Sequence, residues 1–251
     1  MKSLEGKVAI VAGGARDIGR AVSEELAAQG ARVVVNYFRN ADDGEATVAA
    51  IEAAGGEAIA LRGDMTKQAD VDNLVAEARK AFGDTIDVLV NVVGGLVARK
   101  PLAEMDAEWF DGVMRLNVTS VFMTCQAVVP HMTNGGAIVN FSSQAGRDGG
   151  GPGAAAYSSS KAAVMTFTRA LAKELGPQNI RSNCVCPGMI STVFHDTFTK
   201  DEVRKTVAAN TPLRREGQAS EVADLVAYLA SPASSFITGA SVDINGGMVF
   251  S

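Results

Sequence analysis

Residues 10–21 read IVAGGARDIGRA. A short apolar run enters a pair of glycines, and an amphipathic stretch begins at Arg20. Gly13 suits the turn after a first strand, and Gly19 lets a helix approach the sheet closely. The amino end of that helix would offer N–H groups with no partner of their own, a favourable place for a pyrophosphate. Asp17 stands where a further glycine is expected, so a carboxylate sits inside a candidate phosphate loop. Glycine-rich turns also occur for packing alone, so the rest of the chain has to decide.

Further along, β-branched runs at Lys7–Ala12, Arg32–Asn36, Ala58–Arg62, Val88–Asn91, Ala137–Phe141, Ile180–Cys186 and Ala240–Ile244 alternate with helical patterns. The helical stretches are Arg20–Gln29, Asp43–Ala54, Gln68–Phe82, Ala107–His131, Tyr157–Leu175 and Ser220–Ala230. Strands apolar on both faces, alternating with helices, predict a parallel sheet covered on both sides. The expectation is an α/β, doubly wound Rossmann-type sheet of about seven strands, forming one domain over residues 1–251. RDGGGPGAAA (147–156) reads as a mobile loop at a site mouth rather than a domain boundary.

The 251 residues are 47% hydrophobic and 20% charged, as in a folded globular protein. A net charge of −5 without a basic cluster argues against nucleic acid. The amino terminus lacks a signal-peptide core, and the longest apolar run, Val88–Ala98, is interrupted by Asn91 and two glycines, so no membrane partner is expected. Cys184 and Cys186 have the wrong spacing for zinc or a redox pair, and with Cys125 they read as core residues in a reducing cytoplasm. No metal spacing involves His131 or His195. A phosphate-loop NTPase is excluded because no Gly-Lys-Ser/Thr follows the glycines.

Gly63-Asp64 closes the third strand, where a carboxylate can accept a bond from an adenine amino group. NVVGG (91–95) places glycines at the carboxyl edge of the fourth strand, where such sheets bind ligands. Tyr157 is the only one of three tyrosines with a lysine four residues on, which puts Lys161 on the same helix face. A nearby ammonium favours the phenolate and so fits tyrosine for proton transfer. Ser143 ends the fifth strand and can donate a hydrogen bond to a carbonyl oxygen; Ser142 beside it is the alternative.

These motifs resemble those of the short-chain dehydrogenase/reductase family, in its 3-oxoacyl-carrier-protein reductase-like or glucose dehydrogenase-like branch. The likeness covers essentially the whole chain. The fingerprint TGxxxGIG is present as AGGARDIG (12–19), NNAG as NVVG (91–94), YxxxK as Tyr157–Lys161 and PGxxxT as Pro187-Gly188-MIS-Thr192. The departures at Ala12, Asp17, Val92 and Val93 bear on cofactor affinity and preference.

The resemblance implies an NAD(P)-dependent oxidoreductase that interconverts a carbonyl and a secondary alcohol. Its catalytic residues would be Asn117, Ser143, Tyr157 and Lys161, with Asn117 holding water in a proton relay to Lys161. Its cofactor contacts would come from Gly13, Arg16, Asp17, Ile18, Gly19, Asn36, Arg39, Asp64, Met65, Asn91, Gly94, Tyr157, Lys161, Pro187, Gly188, Ile190 and Thr192, with no metal. It also implies a homotetramer built on the long helices and the carboxyl-terminal strand. Asn36, at the end of the second strand, cannot repel a 2′-phosphate as an acid would, and Arg16 and Arg39 can pair with one, or else are solvated surface arginines opposed by Asp17, Asp42 and Asp43; the balance modestly favours NADP(H) and leaves NAD(H) open. Asp17 reads as tuning the loop, as capping the helix from Ile18, or both. Arg99, Lys100 and Arg147 near the mouth suggest an anionic keto acid, keto sugar acid or 3-oxoacyl thioester, or else ordinary surface charge. His131 reads as surface, and His195 falls in the segment that covers substrate in the family. The competing reading is a dinucleotide-binding regulator without catalysis, which would have no chemical need for all four catalytic residues.

Overall fold

The computed structural model describes residues 2–250. In chain order its elements begin β1 (Val8–Ala12), α1 (Asp17–Ala28), β2 (Arg32–Tyr37), α2 (Ala41–Ala53), β3 (Glu57–Arg62), α3 (Gln68–Phe82) and β4 (Val88–Asn91). They continue with α4 (Ala107–Met114), α5 (Ser120–Val128), β5 (Gly136–Phe141), α6 (Ala145–Asp148), α7 (Ala155–Leu175), β6 (Ile180–Pro187), α8 (Val193–Phe198), α9 (Asp201–Asn210), α10 (Ala219–Ala230) and β7 (Ser241–Ile244). Seven strands form one sheet in the order β3-β2-β1-β4-β5-β6-β7, every pair parallel. The order reverses beside β1, and the crevice there, at the carboxyl ends of β1 and β4, is where a doubly wound sheet receives a dinucleotide.

Alternation along each buried strand feeds two cores. Ala9, Val11, Val33 and Val35 face a layer containing α1 and α10. Val8, Ile10, Val34 and Leu89 face the opposite layer, which contains α3, α5 and α7. Cys184 and Cys186 both enter this second core, with free thiols, as their two-residue spacing in a strand requires. The seven strands and the six long helices expected from periodicity are present, with ends moved by a few residues. The short helices α6, α8 and α9 were not expected, because they lie in polar or glycine-rich stretches without a sustained apolar period.

The stretch from Ala107 to His131 is long and apolar enough, by length and composition, to cross a membrane. Here it lies against the sheet, with Asn117 and Thr124 buried and hydrogen-bonded at its centre. It is also not a uniform α-helix, because a π turn at Arg115–Thr119 joins α4 to α5. The inserted residue turns Asn117 toward the end of β4, and such bulges frequently mark functional positions.

Candidate active site

The glycine loop is held from beneath by Asn36. Its Oδ1 accepts from the Gly13 N–H at 3.1 Å, while its Nδ2 donates to the carbonyls of Tyr37, Leu61 and Gly63 at 3.1–3.3 Å. Gly19 is obligatory, since a Cβ there would lie 1.9 Å from the Gly13 carbonyl oxygen. Ser23 donates to the carbonyls of Gly14 and Gly19, and Thr47 to that of Ala15, so the loop is braced from two helices. Arg16 precedes α1 without a side-chain cap, which leaves the first turn of α1 open to an anion. Ile18 packs against the core below.

Two expectations for this region are corrected. Asn36 does not face a ribose: it is buried, and all its polar atoms are engaged by loop and strand backbone. Strand β2 runs one residue further, to Tyr37, so the groups beyond its end are Phe38 and Arg39, whose guanidinium lies 5.3 Å from the Phe38 ring centroid. Asp17 does not cap its own helix. It takes φ +51 and its Oδ1 accepts from the backbone N–H of Val193, 176 positions along the chain, at 3.0 Å. Oδ2 lies 3.9 Å from Arg16 Nε.

Asp64 sits at the end of β3 with Oδ1 accepting from the N–H and hydroxyl of Thr66, and with Lys67 3.9 Å from Oδ2. Met65 beside it is buried. Asn91 is a further correction, because its side chain belongs to a buried ladder and not to a ligand surface. Thr124 donates to Asn91 at 2.7 Å, Asn91 to Asn140 at 2.9 Å, and Asn140 to Thr168 at 3.0 Å. An amide buried in a sheet must find such partners, and this chain of them ties α5 and α7 to β4 and β5. Sequence reasoning missed Asn140, Thr124 and Thr168. The available signal was an asparagine near the carboxyl end of three otherwise apolar strands, at positions 36, 91 and 140.

The four expected catalytic residues converge at the carboxyl ends of β4 and β5. Lys161 is 4% exposed and donates to the Phe141 carbonyl at 2.9 Å, and its Nζ lies 5.8 Å from the Tyr157 ring centroid. Asn117 brackets Gly95, accepting from its N–H at 2.9 Å and donating to its carbonyl at 3.0 Å. Gly94 lets these groups meet: a Cβ there would stand 2.5 Å from Asn117 Oδ1 and 2.9 Å from Lys161 Nζ. The two serines separate clearly. Ser142 is buried and donates to the Lys161 carbonyl at 2.7 Å, whereas Ser143 hydrogen-bonds Tyr157 and accepts from the Ala145 N–H.

Electrostatics differ from the simple expectation. Burial raises the Tyr157 phenol above its ordinary value, and the Ser143 hydrogen bond opposes that rise. Burial also brings the Lys161 ammonium down to about 8, so the group is poised near neutrality.

The chain leaving β6 starts beside this cluster, where the Gln144 N–H donates to the Pro187 carbonyl at 2.9 Å. Pro187 and Ile190 are buried, the latter in the α1–α10 core, so Ile190 has only backbone to offer a ligand. Gly188 packs against Asn245, and Thr192 donates to the Ile190 carbonyl at 3.2 Å. His195 lies on α8, and its side chain is outside the described part of the structure; His131 ends the α5 stretch. Two of the three basic groups expected at the mouth are held in ion pairs. Arg147 pairs with Asp243 at 3.0 Å and donates to the Ser241 carbonyl, and Lys100 pairs with Asp106 and lies over the Trp109 ring. Arg99 donates to the Pro152 carbonyl and so ties its own loop to the glycine-rich one.

A family model described as enoyl-(acyl carrier protein) reductase matches residues 13–249. A 3-oxoacyl-[acyl-carrier-protein] reductase of Synechocystis is 39% identical over 252 residues, covering 99% of both chains. An uncharacterised oxidoreductase of Methylorubrum extorquens is 38% identical over 250 residues, covering 99% of this chain and all of its own. Among solved structures, a short-chain dehydrogenase/reductase from Serratia marcescens superposes with a TM-score of 0.92 at 36% identity, covering 98% of this chain and 99% of that one. A blue fluorescent protein from a metagenomic library, solved in complex with NADPH, gives 0.92 at 35% identity, covering 99% of this chain and all of that one.

Proposed function

Because the chain belongs to the short-chain dehydrogenase/reductase family, we propose that Tyr157 is the proton donor and acceptor of its carbonyl–alcohol interconversion. The observation that carries this reading is the contact of Tyr157 with Ser143, one helical turn from a buried Lys161. The family's NAD(P)H dependence fits the residues present: a braced glycine loop, an open first turn of α1, and Asp64 at the third strand's end.

The glycine loop and the first turn of α1 would hold a dihydronicotinamide dinucleotide, which would supply the hydride for the carbonyl carbon. Ser143 holds the carbonyl oxygen, and Tyr157 gives its phenolic proton to that oxygen as charge develops there. Lys161 steadies the resulting phenolate, which the burial of Tyr157 otherwise disfavours. Asn117, fixed on the π turn, holds the Gly94–Gly95 backbone clear of the lysine and relays water to it. A regulator without catalysis would have no need of this convergence.

We place NADP(H) ahead of NAD(H) on Arg16 and Arg39, with side chains beyond the loop and strand β2 and no acid at that strand's end. The substrate is a small carbonyl compound. An acidic or thioester-linked one, of the kind the Synechocystis relative's name indicates, would rely on Arg99, whose charge is not matched by an ion pair among the described residues, whereas Lys100 and Arg147 are paired with Asp106 and Asp243. Exposed Phe110, Phe122 and Phe250 on α4, α5 and the carboxyl-terminal segment support a homotetramer, and buried free thiols support a cytoplasmic setting. The test is a panel of 3-oxo esters, keto acids and keto sugars with NADPH or NADH, followed by nicotinamide absorbance. Consumption with NADPH in excess of NADH is expected; no turnover with any carbonyl, despite dinucleotide binding, would favour the regulator.

A further inference from the structure

We propose that Asp17 is a positioning residue that holds α8, the start of the segment that covers substrate in the family, onto the phosphate loop, through the bond between its carboxylate and the Val193 N–H. This role rests on the reductase reading above. The supporting geometry begins with the backbone. Asp17 sits at φ +51, a region tolerated by aspartate better than by most residues. From there its carboxylate leaves the loop and reaches the first residue of α8 at 3.0 Å.

The cover needs such ties. Helix α8 has six residues, too few to persist on its own hydrogen bonds. Its far side is held by Arg204 of α9, which pairs with Asp196 and, through two bonds of 2.7 Å, with Glu216. Arg204 and Glu216 are 16% and 17% exposed at their side chains, so that half of the clamp is shielded, whereas Asp196 on α8 is 59% exposed. Asp17 is the opposite attachment, and among these ties it is the one that starts in the cofactor loop. Any shift of residues 13–19 on dinucleotide binding is therefore transmitted to Val193 and to the cover. The departure from glycine in the fingerprint thus acquires a purpose other than ligand contact.

The experiment compares the wild type with Asp17→Ala and Asp17→Asn. Amide exchange is read at Val193 and the rest of α8 in the free protein, and KM and kcat are measured with NADPH and ethyl 3-oxobutanoate as the carbonyl probe. Asn keeps an acceptor oxygen and loses the charge, whereas Ala loses both. In Asp17→Ala, exchange at Val193 should rise on the order of tenfold, and KM for the probe should rise severalfold with kcat less affected. Asp17→Asn should stay near wild type in exchange at Val193, and its KM for the probe should rise less than that of Asp17→Ala. Unchanged exchange at Val193 in Asp17→Ala overturns the proposal. So does a pair of variants that alike alter the dissociation constant for NADPH and leave the probe's KM unmoved, since charge at the cofactor would then explain everything. If the wild type fails to reduce the probe, the exchange result alone decides the tether, and dinucleotide calorimetry decides the reductase reading separately.

Discussion

Lys161 donates to the Phe141 carbonyl at 2.9 Å, and Ser142, the next residue of that strand end, donates back to the Lys161 carbonyl at 2.7 Å. Strand β5 and helix α7 thus clasp each other at the buried lysine of the candidate site. The clasp holds the lysine where burial depresses its pKa and leaves Ser143 turned toward Tyr157.

On the proposed mechanism, replacing Tyr157 by Phe removes the proton donor and little else. Turnover should fall on the order of 10²–10⁴-fold, the usual contribution of a positioned acid. Calorimetric binding of NADPH should change little. Near-normal turnover would move the acid elsewhere.

Lys161 makes stability depend on pH with a definite sign. Its folded value of about 8 lies below the ordinary 10.5. Between these values the unfolded chain holds a proton that the folded one has released, so this group's contribution raises stability as pH rises. The contribution is absent in Lys161→Met. Urea unfolding of both proteins at about pH 7.5 and about pH 9.5 should therefore show the wild type gaining on the variant at the higher pH. In the alcohol-oxidising direction, the acid limb of the variant's pH–rate profile should move upward, because its phenolate has lost a neighbouring cation. A flat difference in stability would show that the ammonium is not desolvated.

Asn36→Asp, which looks from the sequence like a route to NAD preference, should instead damage the fold. The amide nitrogen faces the carbonyls of Tyr37, Leu61 and Gly63, and a carboxylate oxygen in its place would face the same three acceptors. The cost should be on the order of 3 kcal/mol, as for other unpaired buried charges. A lower thermal midpoint and no gain in NADH affinity are expected; a stable variant that prefers NADH would put Asn36 back beside the ribose.

Arg39→Glu should weaken NADPH binding by about tenfold or more, equivalent to roughly 1.4 kcal/mol, and leave NADH nearly unchanged. The gap should narrow with added salt, as expected for an exposed charge pair. Equal losses for both dinucleotides would assign Arg39 to the adenine side rather than to a 2′-phosphate.

Much of this was legible in one dimension because it depends on periodicity and on residue chemistry at fixed spacing. Apolar runs such as VAIVA and RVVVNY, alternating with amphipathic stretches, determined the parallel sheet, since a strand buried on both faces has no polar side to show. The four-residue interval from Tyr157 to Lys161 determined a shared helix face. What the sequence could not determine was where an individual polar side chain turns once the elements pack. Asn36 and Asn91 stand at strand ends where the letters alone allow a ligand contact, yet the Gly13, Leu61 and Gly63 backbone engages the one, and the Thr124 hydroxyl and Asn140 amide, far along the chain, engage the other. Ser142 and Ser143 are indistinguishable as letters, and only the pleat of β5 against α7 sends one to Lys161 and the other to Tyr157. Asp17 shows the limit most plainly: its partner lies 176 residues away, and a hydrogen bond of that reach exists only after the whole sheet has brought the first loop beside the segment that follows the sixth strand.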